Sequence, residues 1–310
     1  MSKRWLRTIV LAACVIGGLL ATTFVFADVV AVARPPAVLP GFIANSKWLL
    51  RLPLDEPVVY RGVVGFDGAG ANSPSILYPA PNLVGLLAAV LTHGAIIEST
   101  KNDQKSKLQQ DADKVLSPYR DILAKFSSRD LLRRALTKTA NSANGASIEK
   151  SEDSGSVVVV ASDPVFSLTQ DQKAIVLDNT IDIQLPGTSS VAAYRNVIRI
   201  VSMPLNVAEP SSLWLANDGQ QLKDESVELV AVSIDIASLD AAIGTSQESL
   251  PYRTVRYREG SVEKMERAQI LNNRCGRLLI RTLRGMLLSV PASVQDVDGV
   301  AGQCALRAGS

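Results

Sequence analysis

The chain has 310 residues, 47% hydrophobic and 20% charged, which is too apolar for a disordered chain and long enough to bury one or two cores. Lysine and arginine number 32 against 30 aspartates and glutamates, so no strong overall field marks it for nucleic acid. One histidine and three cysteines leave little scope for a soft-metal centre or a histidine-based nucleophile, since either needs several such side chains converging.

The N-terminus carries the clearest signal. Lys3, Arg4 and Arg7 are followed by no charged side chain until Asp28, so Thr8 to Ala27 is a charge-free run of the kind that directs export. Val25-Phe26-Ala27 puts small residues three and one positions ahead of a cut between Ala27 and Asp28, with Thr22-Thr23 as the more polar approach. The run is also long enough to span a bilayer, so residues 1–27 read as a signal peptide or a signal anchor. In both cases the basic flank stays cytosolic and the rest of the chain crosses. Leu11-Ala12-Ala13-Cys14 has the form of a lipobox, but lipidation there would leave only Thr8 to Leu11 as apolar signal. The expected location is the periplasm or the outer face of the inner membrane, with an outer-membrane lipoprotein as the weaker alternative. No asparagine lies two positions before a serine or threonine, which fits a bacterial envelope protein.

Residues 28–46, with Pro35-Pro36, Pro40 and Gly41, read as an extended tether ahead of a region of short strands and helices over 47–140. Val58 to Tyr60, Val63-Val64 and Phe66 are strand material; the glycine-containing stretch after them lacks the Gly-Lys-Ser/Thr ending of a phosphate loop. Asn82 caps an apolar run from Leu83 to Ile97, the start of a helix expected to reach Leu116. Leu83, Leu87, Val90 and Leu91 give that run apolar character on every side, and Gly85 and Ala89, four apart, permit close backbone approach. It is either a buried core helix or one that contacts a membrane, a partner or a second copy of the chain; His93 within it reads as a core histidine. Helices are also expected over Pro118–Phe126 and Ser128–Thr139, the latter with a cap from Ser127 to Asp130. Residues 141–156, rich in Asn, Ser and Gly, read as a linker.

Beyond the linker the hydrophobic period changes to two. Val157–Ala161, Ile181–Leu185, Ile198–Ile200, Glu228–Ile236 and Tyr252–Arg258 read as antiparallel strands within a unit over 157–291, followed by a tail over 292–310. Asn273–Leu288 returns to helical spacing, with Arg274, Arg277, Arg281 and Arg284 on one face and Leu279, Ile280, Leu283 and Leu287 on another. Four guanidinium groups in one stripe need carboxylates or an anion opposite them. The stripe is therefore a candidate site for phospholipid headgroups, an anionic glycan or an acidic partner, or else it docks on the acidic region 151–248, which holds 14 acidic against 4 basic residues.

Signal cleavage would leave two cysteines, Cys275 and Cys304, expected to form a disulfide in an oxidising compartment. There is no Gly-x-Ser-x-Gly elbow and no His-Glu-x-x-His, and nothing in the sequence calls for a cofactor or a metal. The expected class is α+β: an N-terminal helical portion, then a mainly antiparallel sheet closed by a C-terminal amphipathic helix. The expected role is non-enzymatic binding, scaffolding or assembly in the cell envelope, with an envelope protein or an anionic membrane surface as partner and no nucleic acid. The alternative is a carboxylate-dependent envelope hydrolase.

Overall fold

The computed structural model describes residues 48–53, 55–64, 106–140, 157–186, 192–243 and 250–293, all within the unit from Pro35 to Ser310. In chain order these form β1 (Trp48–Arg51), β2 (Val59–Gly62), a 3-10 turn (Asp113–Tyr119), α1 (Arg120–Ala124), α2 (Ser128–Lys138), β3 (Val158–Leu168), β4 (Ile175–Gln184) and β5 (Tyr194–Val201). There follow α3 (Pro210–Ile243), β6 (Arg253–Glu259), β7 (Val262–Arg274), β8 (Arg277–Thr282) and β9 (Leu287–Pro291). The fold is α+β, built on one mixed nine-stranded sheet of order β1-β3-β4-β5-β9-β8-β7-β6, with β2 alongside β3 beyond β1. β1 and β2 both run parallel to β3, and β9 runs parallel to β5; the other pairs are antiparallel.

Strand alternation divides the sheet into two faces with different covers. On the front of β4, Ile175, Leu177, Ile181 and Ile183 are fully buried and share one apolar cluster with Leu131 and Leu132 of α2 and Leu222, Val227, Val230 and Ile234 of α3. A thread of side-chain hydrogen bonds ties this layer together: Ser162 of β3 donates to Asn179 Oδ1 (3.0 Å), and Asn179 Nδ2 donates to the Ser233 hydroxyl of α3 (2.7 Å). On the back, Val176, Val201, Leu278, Ile280, Leu288 and Val290 form a second cluster with Val255 and Tyr257 of β6 and Ala268 of β7. The β6–β7 ribbon thus turns over the back of the sheet, and an isolated bridge from Tyr257 to Ala292 closes β6 toward the end of β9.

Two expected elements are overturned. Glu228–Ile236, expected as a strand, lies inside α3, where Leu229, Val230, Ala231 and Ile234 are buried together against the sheet; tertiary burial overrides the β-branched alternation. Asn273–Leu288, expected as the closing helix, is instead the end of β7, all of β8 and the start of β9. Cys275 and Gly276, at φ +55° and +68°, make a two-residue hairpin turn between paired Arg274 and Arg277, and Gly285 at φ +81° serves the next turn. No helix therefore closes the sheet at its C-terminal end: β1 and β2 come before α1 and α2, which precede β3, and α3 is inserted between β5 and β6. By contrast Ser127 caps α2 through the expected residue, accepting from the Asp130 amide at 3.1 Å. The tether, the linker 141–156 and the run from Leu83 to Ile97 lie outside the described residues.

β2 is held where it is by a glycine. A Cβ at Gly62 would come within 1.9 Å of the Ala112 carbonyl oxygen, while the Gly62 amide donates to Asp113 at 2.7 Å and its carbonyl accepts from Gln109 at 3.1 Å. Gly62→Ala should therefore cost roughly 1–3 kcal/mol or more through overpacking against rigid backbone. Urea denaturation of the two proteins checks this; equal midpoints would refute the close approach.

Candidate functional site

The β6–β7 ribbon brings together the charged groups that the sequence had scattered. Its inner face carries Tyr257 and Glu259 on β6 with Lys264 and Glu266 on β7, and lies over Asp178 of β4 and Arg199 of β5. Arg199 is 7% exposed, and its Nε and Nη2 donate to the two Asp178 oxygens at 2.7 and 2.6 Å, the fork-to-carboxylate geometry that best offsets loss of hydration. Its Nη1 stands 3.8 Å from Glu259 Oε1. Burial alone would lower the Arg199 pKa, and Asp178 more than reverses that, so the guanidinium stays charged. Burial raises the Glu259 and Glu266 carboxyls above the ordinary range, opposed by Arg199 and Lys264 at Glu259 and by Arg284 and Arg199 at Glu266.

The tip of the ribbon is fixed by a carboxylate. Gly260, at φ +62°, leaves room for Asp171 in the β3–β4 turn; a Cβ there would lie 2.5 Å from Asp171 Oδ1. Asp171 accepts from the Ser261 amide (2.6 Å), the Lys173 amide (3.1 Å) and the Thr169 hydroxyl (2.6 Å). Burial pushes its carboxyl up, and these hydrogen bonds outweigh that and hold it below the usual range.

The outer face of the ribbon is open to solvent. Arg256 and Arg258 of β6 and Arg267 of β7 are exposed there, Arg253 is exposed at the start of β6, and the one exposed acid is Glu263, which accepts from Arg256 at 2.8 Å. Met265, 49% exposed, stands opposite Arg256 in the register.

The four arginines expected as one helical stripe are dispersed. Arg281 is buried against α3, where it donates to Asp240, which also accepts from the Tyr194 hydroxyl at 3.1 Å. Arg277, half-buried, donates to the carbonyls of Val201 (2.8 Å) and Ser289 (2.9 Å). Only Arg274 and Arg284 remain exposed, in or beside the turns at opposite ends of β8. Alternation on a strand explains the split: two of the four point at the helix layer and two fall outside β8. Cys275 opens the β7–β8 turn, while Cys304 lies outside the described residues, as do Ala27, Asp28, Leu83, Gly85, Leu87, Ala89, Val90 and Leu91.

A groove of about 560 Å³ runs between the end of α2 and α3, lined by Lys138, Leu213, Asn217, Gln221, Glu225 and Glu228 among others. The backbone of α3 breaks beside it, with Asn217, Asp218 and Gly219 all at positive φ. Two-acid hydrolysis needs carboxylates facing each other across a substrate. Here Asp224 and Glu228 lie on one helix face, tied to Arg134 and to Lys138 (3.1 Å) respectively, and burial raises the neighbouring Glu225 carboxyl. Among the described residues no group of three or more His, Cys, Asp and Glu could hold a metal ion, and no helix is long and apolar enough to cross a membrane.

The chain matches no protein-family model, no curated protein and no solved structure. The outer arginines of β6 were legible as the strand Tyr252–Arg258, but the partner strand that completes the face was not, because β7 holds charged and polar residues at most positions. The spacing of Glu259-Gly260-Ser261-Val262, a two-residue turn with glycine first, was the signal available for that hairpin.

The Asp171 anchor makes a pH prediction. Its carboxyl titrates lower in the folded than in the unfolded chain, so its stabilisation is present above the ordinary aspartate range and is lost as pH falls through the lowered folded value. Asp171→Asn should cost about 1–2 kcal/mol at neutral pH, allowing for the partial exposure of the site, and the gap from the wild type should close at low pH. Urea melts across pH check this; a gap that is constant with pH would refute the role of the charge.

Proposed function

We propose that the protein is an exported, non-catalytic binding factor of the cell envelope that places the outer face of the β6–β7 ribbon against an anionic membrane surface. The observation that carries the reading is the composition of that face: Arg256, Arg258 and Arg267 exposed with a single exposed acid, Glu263, and an exposed Met265 among them. Guanidinium groups suit phosphate, and an apolar side chain between them suits the headgroup boundary. Export rests on the charge-free run from Thr8 to Ala27 behind Lys3, Arg4 and Arg7, which supports delivery of the folded unit across the membrane, whether the run is cleaved or kept as an anchor. In that oxidising compartment a Cys275–Cys304 bridge would tie the C-terminal tail to the β7–β8 turn, at the end of β7 away from the Gly260–Ser261 tip.

Sedimentation with phosphatidylglycerol-containing vesicles tests the proposal. Arg256→Gln, Arg258→Gln and Arg267→Gln together should weaken binding at least about tenfold, given about 1 kcal/mol per basic group near an anionic surface and a discount for the Arg256–Glu263 pair. High salt should abolish the difference. Equal binding of the two proteins, or equal binding to neutral vesicles, would contradict the reading.

A further inference from the structure

The inner face of the ribbon holds an acid that its ion pair does not need. Arg199 is already neutralised by the two-point contact with Asp178. Glu259, 6% exposed, stands at 3.8 Å from Arg199 Nη1, beyond hydrogen-bond length, and its Oε1 is buried without a hydrogen-bond partner among the described residues. The adjacent Tyr257 hydroxyl is buried beside it, near enough to favour the ionised carboxyl but without a hydrogen bond of normal geometry. An ionised carboxylate so placed loses its hydration, and the Tyr257 hydroxyl, Lys264 and a share of a guanidinium already engaged by Asp178 do not outweigh that loss; a protonated carboxyl avoids most of the cost.

We propose that Glu259 is a proton-operated latch, seating β6 on the back of β4 and β5 when protonated and loosening it when ionised. The charged and titratable groups facing it are Asp178 on β4, Arg199 on β5, Tyr257 on β6, and Lys264 and Glu266 on β7, with Arg284 beyond β8 acting on Glu266; β9 carries no charged residue. Lys264 is partly exposed and acts through screened solvent, so burial of Glu259 dominates and its carboxyl is raised. β6 is the strand able to respond. Among the described residues it is paired along its length only with β7 and meets the end of β9 through one isolated bridge from Tyr257 to Ala292, so it can open without unfolding the sheet.

The sign follows from linkage. An acid with a raised folded pKa contributes stability that is complete below its unfolded value and lost as pH rises through the folded one, so β6 loosens toward alkaline pH and tightens as pH falls toward the ordinary glutamate range, above the range in which the Asp171 anchor of the tip is lost. The latch concerns the inner face and is read as motion, so it stands or falls separately from the binding of vesicles by the outer face.

The test is amide hydrogen exchange of β6 in the full chain between about pH 4.5 and about pH 8, corrected for the intrinsic pH dependence. Wild-type protection of β6 should fall by up to about tenfold per pH unit once Glu259 ionises in the open form, while that of β4 stays level. Glu259→Gln, which mimics the protonated acid, should keep β6 protected at every pH. A level wild-type profile, or a Glu259→Gln profile as steep as the wild type, would overturn the latch. If that variant does not fold, the side-chain carboxyl carbon of Glu259 in the wild type is followed by NMR. The latch requires titration above the ordinary glutamate range in step with the β6 amides, and titration within that range, or without an amide response, overturns it.

Discussion

A guanidinium removed from water on the back of a β-sheet has to be neutralised in place, and Arg199 meets that requirement first through a two-point contact with Asp178 on the neighbouring strand. The register of β4 against β5 sets the two directly opposite each other. Everything on the back face is arranged around this neutral, two-point pair. The apolar cluster of Val176, Val201, Leu288 and Tyr257 surrounds it, and the β6–β7 ribbon covers it. A polar centre of this kind carries more positional information than apolar packing alone, because sliding the ribbon would expose or strand a charge.

The front face is organised by the same rule with the elements exchanged. α3 is rich in acids, and four of them meet basic or donor groups: Asp224 with Arg134, Glu228 with Lys138, Asp240 with Arg281, and Asp235 with the Ala140 amide. The acidic region and the arginine-rich region recognised in the sequence do meet, at Arg281 and Asp240, but as strand against helix rather than helix against sheet. With both faces of the central strands covered, the open surface of the ribbon is its outer side. That is why the proposed binding surface uses Arg256, Arg258 and Arg267 and not the arginines of β8.

How much of this was legible in the sequence depended on the scale of the signal. Local signals held: the Ser127 cap, the strands at Ile181 and Ile198, and the α+β class follow from side-chain chemistry within a few residues. The failures came where a period was read without its punctuation. Arginines at 274, 277, 281 and 284 mimic helical spacing, yet Gly276 and Gly285 each mark a turn that requires positive φ. Val230, Val232, Ile234 and Ile236 alternate as a strand would, but a helix buried along much of its surface carries the same residues. The cluster of Asp178, Arg199 and Glu259 was illegible for a different reason, since it is assembled by the register of β4 and β5 and by the turn of the ribbon, neither of which any local window contains.

The measurement that bears most directly on the account is a double-mutant cycle between Asp178→Asn and Arg199→Met, read as unfolding free energy. If the back face is built around this pair, Asp178→Asn alone strands a buried guanidinium, and the double variant should be more stable than the sum of the single losses implies, by at least about 1 kcal/mol. Additive losses would mean that the two side chains do not depend on each other, and the docking of the ribbon over a neutralised centre would be wrong.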